Sequence, residues 1–144
     1  MSMAVYDLRG WVDLGLPSGK LWDTKNEEGY FTFDEAVEKF QDQLPTIEDW
    51  QELIENTTQR FDKRRKGLVL KAPNGKKLFL PAMGFYTDIN KREIFSIGNI
   101  GYYWSATLYD KDEAKNIMFG HLGLYTRGYD PRGSFFSVRL IKSE

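Results

Sequence analysis

The sequence predicts an α+β domain with an antiparallel sheet, on three observations. Two helix starts with capping signals lie in the first third of the chain, at Thr32 and Thr46. From Gly67 onward the apolar pattern changes to period two, with an Asn-Gly pair between two such runs. Aromatic residues make up 15% of the 144 residues, beside 13 glycines, which favours a β-rich, turn-rich fold with wet aromatic surfaces. Helices early and strands late give the α+β order. No linker, repeat or low-complexity stretch divides the chain, so residues 1–144 read as one domain.

Taken in order, Trp11-Val12 and Leu21-Trp22 flank a Pro17-Ser18-Gly19 turn and read as a hairpin of short strands. Thr32-Phe33-Asp34-Glu35 is a capping box, followed by Phe33, Ala36, Val37 and Phe40 as one apolar stripe. Thr46 caps a second helix with Asp49 at its third position, and acids in its first turn suit the helix dipole. Its buried face is Ile47, Trp50, Leu53 and Ile54, and it fades near Asn56-Thr57-Thr58. Leu68 to Ala72 and Lys77 to Leu80 surround Pro73-Asn74-Gly75 as a second hairpin. Three further strands are expected over residues 102–108, 116–121 and 134–142, with Gly- and Tyr-rich loops between them.

Composition removes whole classes of function. Zero cysteines exclude disulfides, thiolate metal sites and thiol nucleophiles, and a single histidine, His121, excludes every site that needs two. Twenty basic against twenty-one acidic residues give no overall electrostatic footprint for nucleic acid or an anionic membrane. No apolar run is long enough to span a bilayer, and Met1 to Asp7 shows neither the basic nor the apolar region of a signal peptide.

Five pieces then occur in a familiar order. They are residues 11–19 (beginning Trp11-Val12-Asp13-Leu14-Gly15), 44–53 (Leu44-Pro45-Thr46-Ile47 onward), Leu78-Phe79-Leu80-Pro81-Ala82-Met83-Gly84, Gly101-Tyr102-Tyr103-Trp104-Ser105-Ala106-Thr107, and Phe136-Ser137-Val138-Arg139. Together they resemble the Fibrobacter succinogenes major paralogous domain, common in gut Bacteroidetes and their phages. That domain looks related to the C-type lectin-like fold of diversity-generating-retroelement target proteins. The resemblance spans roughly residues 11–142. It implies two helices, a twisted antiparallel sheet, chain ends meeting in one strand pair, and a ligand face built from loops of the C-terminal half. Two features depart from the family: the secretion signal usual there is not seen, and residues 23–28 are more charged than its pattern. Both point away from the ordinary secreted setting, towards another export route or a virion component assembled in the cytoplasm.

Catalytic and metal chemistry find little footing. There is no Gly-x-Ser-x-Gly elbow to accompany His121, which reads as a residue facing solvent or a neighbour. Glu48, Asp49 and Glu52 sit where a helix N-terminus attracts acids, and Asp110, Asp112 and Glu113 lie in a lysine-interleaved loop. The calcium motifs of sugar-binding C-type lectins are absent: Ala72 precedes Pro73-Asn74, and Trp104 is followed by Ser105-Ala106. No metal and no cofactor are expected. Lys63-Arg64-Arg65-Lys66 lacks interleaved aromatics and reads as a solvated connector between helix and sheet, and Asn56-Thr57-Thr58 as an accidental glycosylation sequon.

The candidate site is late in the chain: Tyr109, Asp110, Tyr125, Arg127, Tyr129, Asp130 and Arg132. Tyr and Arg are the side chains most enriched at binding hot spots, and Gly and Pro punctuate this stretch as loops between strands. The alternative is that some of these tyrosines pack on the sheet with their hydroxyls in water. Trp11, Trp22, Trp50 and Trp104 are assigned mainly to the core. The expected function is non-catalytic: a recognition module at a virion or cell surface, binding a glycan or protein through Tyr/Arg loops without metal. A homo-oligomer or repeated display would supply avidity. Nucleic acid and membrane insertion are not expected. The alternative is a structural assembly protein (a decoration, fibre or tail component) whose aromatic face packs on a neighbouring subunit.

Overall fold

The computed structural model describes residues 10–87 and 93–143. The N-terminal stretch read for a signal peptide lies outside them. β1 (Trp11–Val12) and β2 (Leu21–Asn26) pair antiparallel, with Val12 opposite Trp22, as the first hairpin predicts. Its turn is fastened from outside: Ser18 donates its backbone N–H and its hydroxyl to the Glu52 carboxylate at 2.9 and 2.7 Å.

Both helices begin where the caps place them, because the first N–H groups of a helix have no acceptor within it. α1 (Phe33–Phe40) starts at Thr32, whose hydroxyl accepts from the Glu35 N–H while Glu35 accepts from the Thr32 N–H. α2 (Ile47–Glu55) repeats this with Thr46 and Asp49. Lys20 adds an ion pair to Asp49 at 2.7 Å, so the acids of this helix start serve the fold. Phe33, Ala36 and Phe40 are buried, but Val37 is exposed. At about 100° per residue it falls at the margin of the arc that the other three share.

Among the described residues the strands form three antiparallel sheets of three strands each. In the second, β3 (Thr58–Asp62), β4 (Gly67–Lys71) and β5 (Lys77–Pro81) lie in that order, with Pro73-Asn74-Gly75 turning between β4 and β5. β3 occupies a stretch that carries no clear sequence signal, since an edge strand with only Gln59 and Phe61 turned inward shows little apolar alternation. Residues 63–66 therefore turn from β3 into β4, correcting the connector from helix to sheet. The third sheet is β6 (Gly101–Leu108), β7 (Glu113–Gly120) and β8 (Gly123–Pro131). β9 (Arg139–Lys142) returns beside β2, so strands from both ends of the chain share one sheet in the order β1-β2-β9. The strand expected over residues 134–142 is thus shorter. Phe135, Phe136 and Ser137 make only isolated bridges, and residues 136–141 are buried throughout rather than on alternate sides.

β6 separates two cores. Tyr103 and its side of the sheet meet Trp22, Trp50, Leu70, Leu80, Ile117 and Phe119. Trp104, one residue on and therefore pointing the other way, meets Phe33, Phe40, Phe136, Val138 and Leu140. Trp50 donates its indole N–H to the Trp104 carbonyl and Trp104 donates its own to the Phe31 carbonyl, so each buried indole is satisfied. Trp22, Trp50 and Trp104 are core residues, while Trp11 is half-buried under the Lys142 ammonium. Gly84, at φ +67°, fits where a Cβ would stand 1.9 Å from the Phe95 carbonyl oxygen. No described helix is long and apolar enough to cross a membrane.

Candidate functional site

The candidate residues gather along the β6–β7–β8 sheet: Tyr125, Arg127, Tyr129 and Asp130 on β8 itself, and Tyr109, Asp110 and Arg132 in the turns that follow β6 and β8. β8 is a nine-residue edge strand whose exposure alternates, with Tyr125, Arg127 and Tyr129 outward. Its sequence does not read as a strand because it buries no continuous face, so the outward positions are not balanced by an apolar set. This corrects the loop reading for Tyr125, Arg127, Tyr129 and Asp130, and with it the loop-rich C-terminal half.

Register divides the residues further. Asn116 stands opposite Gly128 and Met118 opposite Tyr125, so Thr126 and Arg127 together face the single residue Ile117. This β-bulge shifts the strand by one. Tyr129 lies beside Lys115 and Tyr125 beside Met118, and positions three apart on β7 point to opposite sides of the sheet. Tyr125 is therefore on one side and Tyr129, with Arg127 two residues before it, on the other.

On the Tyr129 side, Tyr109 at the end of β6 stacks on Tyr129 with ring centroids 3.7 Å apart and planes 1° from parallel. Both rings remain about half exposed, at 50% and 42%. The Tyr109 hydroxyl beside it, then the Glu113 and Asp110 carboxylates, hold the Tyr129 phenol above its ordinary pKa. Arg127 makes no hydrogen bond or ion pair among the described residues and is exposed. A paired aromatic plate beside an unengaged guanidinium can stack on a flat or apolar ligand face and fork onto its oxygens.

The remaining candidates are occupied by the fold. Asp110 accepts the N–H groups of Asp112 and Glu113 at 2.8 Å each and so closes the β6–β7 turn. Arg132 donates from Nε and Nη2 to Asp34 of α1, at 3.1 and 2.6 Å, and from Nη1 to the Lys111 carbonyl. It is a clamp between α1 and the turn after β8. Asp130, on the other side of the sheet from Tyr129, accepts from Asn116 Nδ2 at 2.8 Å. Burial raises its carboxyl above the usual range and the Asn116 bond opposes this. Asn116 is completely buried, and its Oδ1 has no hydrogen-bond partner among the described residues. It faces Gly128, where a Cβ would come within 2.9 Å of it. Burial first, then Asp110, Asp130 and Asp112, raise the Glu113 carboxyl above the usual range.

Sequence reading did not find the other end of β7 and β8. Gly120 pairs with Gly123, leaving His121 and Leu122 as a two-residue hairpin turn. Gly-x-x-Gly between two runs was the available signal. Leu122 is 95% exposed, and His121 lies with its ring 4.2 Å from Phe61. Beside them an open depression of about 420 Å³ is lined by Asn99, Ile100, Met118, Leu122 and Tyr125 among others. Among the described residues no three His, Asp or Glu side chains are grouped to hold a metal ion. In comparisons with protein families, with curated proteins and with solved structures, none matches this chain.

Proposed function

We propose that the chain is a non-catalytic recognition module, carried on a virion or cell surface, that binds a glycan or protein through Tyr109, Tyr129 and Arg127. The stacked, half-exposed Tyr109–Tyr129 pair carries this reading. Large rigid rings that stay in water on a well-anchored sheet lose little entropy on binding, which is why tyrosine serves so well in recognition surfaces. The ring plate suits the C–H face of a sugar or an apolar side chain, and Arg127 suits its hydroxyl, carboxylate or carbonyl oxygens. The C-type lectin-like fold is part of the same proposal. Two capped helices, antiparallel sheets and a C-terminal strand lying beside β2 support it.

Glycan-array binding with and without chelator tests the ligand class and the metal-free mechanism together. Signal that persists in chelator and vanishes in Tyr129→Ala, with the thermal midpoint kept, is expected. Chelator-sensitive binding would overturn the metal-free mechanism.

The open edge of β8 favours a second reading, an assembly component whose sheet continues into a neighbouring subunit. Sedimentation separates the two: an assembly component associates through the edge of β8 and is dispersed by a proline placed there, whereas a recognition module keeps its oligomeric state in that variant.

A further inference from the structure

The chain is nearly neutral as a whole, yet one end of it is basic on one part and apolar on another. Arg60, Lys63, Arg64, Arg65 and Lys66 lie within seven residues at the β3–β4 turn, with Asp62 as the sole acid among them. Asp62 is spent inside the turn, accepting the N–H groups of Arg64 and Arg65 at 3.0 Å each. Those bonds and the cations around it hold its carboxyl below the usual range.

Two other turns adjoin this one. The Lys66 side chain lies against Gly98, its Cδ 3.2 Å from where a Cβ would be, next to Ile97, which is 54% exposed. Phe61, just before the basic turn, contacts His121 of the β7–β8 turn, and Gly120 lies close to the Asn99 carbonyl. The three turns thus make one surface, with cations on one part and Leu122, Ile97 and the apolar depression beside Tyr125 on the other. Leu122 projects from the tip with almost its whole side chain in water.

We propose that this end docks on an anionic lipid bilayer, with the β3–β4 turn against the head groups and Leu122 dipping below them. The chemistry favours lipid over a soluble polyanion. A polyanion in water would satisfy the cations but offer nothing to a fully exposed leucine or to Ile97. A bilayer surface offers negative charge and an apolar layer within a few ångströms of each other. Tyr125, amphipathic and two residues from Gly123 on the side of the depression, sits at the level where tyrosines settle at a lipid interface. No membrane span is involved. Tyr129 is six residues from Gly123 along β8, roughly 20 Å at the usual strand rise. An end held on lipid would leave the Tyr109–Tyr129 plate facing away from it, and the two proposals stand or fall separately.

The test is co-sedimentation of the full chain with vesicles of phosphatidylcholine alone and of phosphatidylcholine with phosphatidylserine. Binding to the phosphatidylserine vesicles that weakens with salt is expected, with little binding to phosphatidylcholine. Leu122→Asp and the pair Lys63→Glu, Arg64→Glu should each weaken it by about tenfold or more. All three positions are exposed, and an unchanged thermal midpoint shows that the variants are folded; Leu122→Ser repeats the first without adding charge. Absence of binding to phosphatidylserine vesicles overturns the proposal. So does binding that both Leu122 variants leave unchanged, or capture by heparin in solution without vesicle binding, either of which marks a site for charge alone.

Discussion

Tyr109 and Tyr129 lie ring on ring at 3.7 Å, joining the end of β6 to the edge strand β8 across the intervening β7. Because the contact is half in water, it is worth about 0.5–1 kcal/mol to the fold, at the low end for aromatic pairs. Its larger consequence is for binding. Tyr109→Ala and Tyr129→Ala should each lower ligand affinity by about tenfold or more, as hot-spot truncations do. A double-mutant cycle should give a coupling energy in binding, since either ring alone loses its orientation. Tyr125→Ala should leave that affinity unchanged, because the bulge at Thr126 and Arg127 turns Tyr125 to the other side of the sheet. Equal losses at Tyr125 and Tyr129 would mean that one ligand wraps the edge of β8.

What the sequence discloses and what it hides follow one physical distinction. Helix starts were legible because the capping boxes at Thr32 and Thr46 are local chemistry, complete within four residues. The β4–β5 hairpin was legible because Asn74-Gly75 is also local. β3 and β8 were not, because these two edge strands, unlike β5 and β6, bury too little to imprint an apolar alternation. Of the candidate site, the residue types around Tyr109 and Tyr129 were legible, but not that Arg132 is held by Asp34, a partner 98 residues away. The exposed Leu122 was hidden for a similar reason: a leucine's surroundings are a property of the whole fold.

Arg139 offers a test of how the sheets are held together. Its guanidinium is completely enclosed and donates to Asn26 Oδ1 and to the Asp23 and Phe79 carbonyls, so one side chain links β2 and β5 to β9. Burial lowers its pKa, and the Tyr103 hydroxyl and Asp23 oppose that shift. Arg139→Met should cost about 3–5 kcal/mol, because it leaves buried acceptors unpaired. Arg139→Lys should recover only part of this, having no fork to reach three acceptors. Chemical denaturation gives both values. A loss under about 1 kcal/mol for the methionine variant would show that the linkage is dispensable.

The second capping box predicts unequal losses. Thr46→Ala should cost about 1 kcal/mol, the usual value of an N-cap. Asp49→Ala should cost more, since Asp49 returns the cap bond to the Thr46 N–H and also holds Lys20 at 2.7 Å. Glu52→Gln should cost little beyond the charge it shares with the Ser18 turn. Reversal of the first two would place the stability in the hydroxyl alone.

Asp130 and Asn116 make stability depend on pH with a definite sign. Burial raises the folded pKa of Asp130 above its unfolded value of about 3.9, so the folded protein holds the proton to higher pH. Stability then falls as pH rises through the interval between the unfolded and folded values, where the native state binds more protons. Asp130→Asn carries no such charge, so its stability relative to the parent should rise from the acid side of that interval to neutrality. Asn116→Ala removes the one hydrogen bond that opposes the shift, and should steepen the parent's decline while lowering stability throughout. Glu113, also raised, contributes in the same direction and would leave a residual slope in Asp130→Asn. Denaturation midpoints across the acid-to-neutral range separate these outcomes. A slope that Asp130→Asn leaves unchanged would assign the dependence to Glu113 instead.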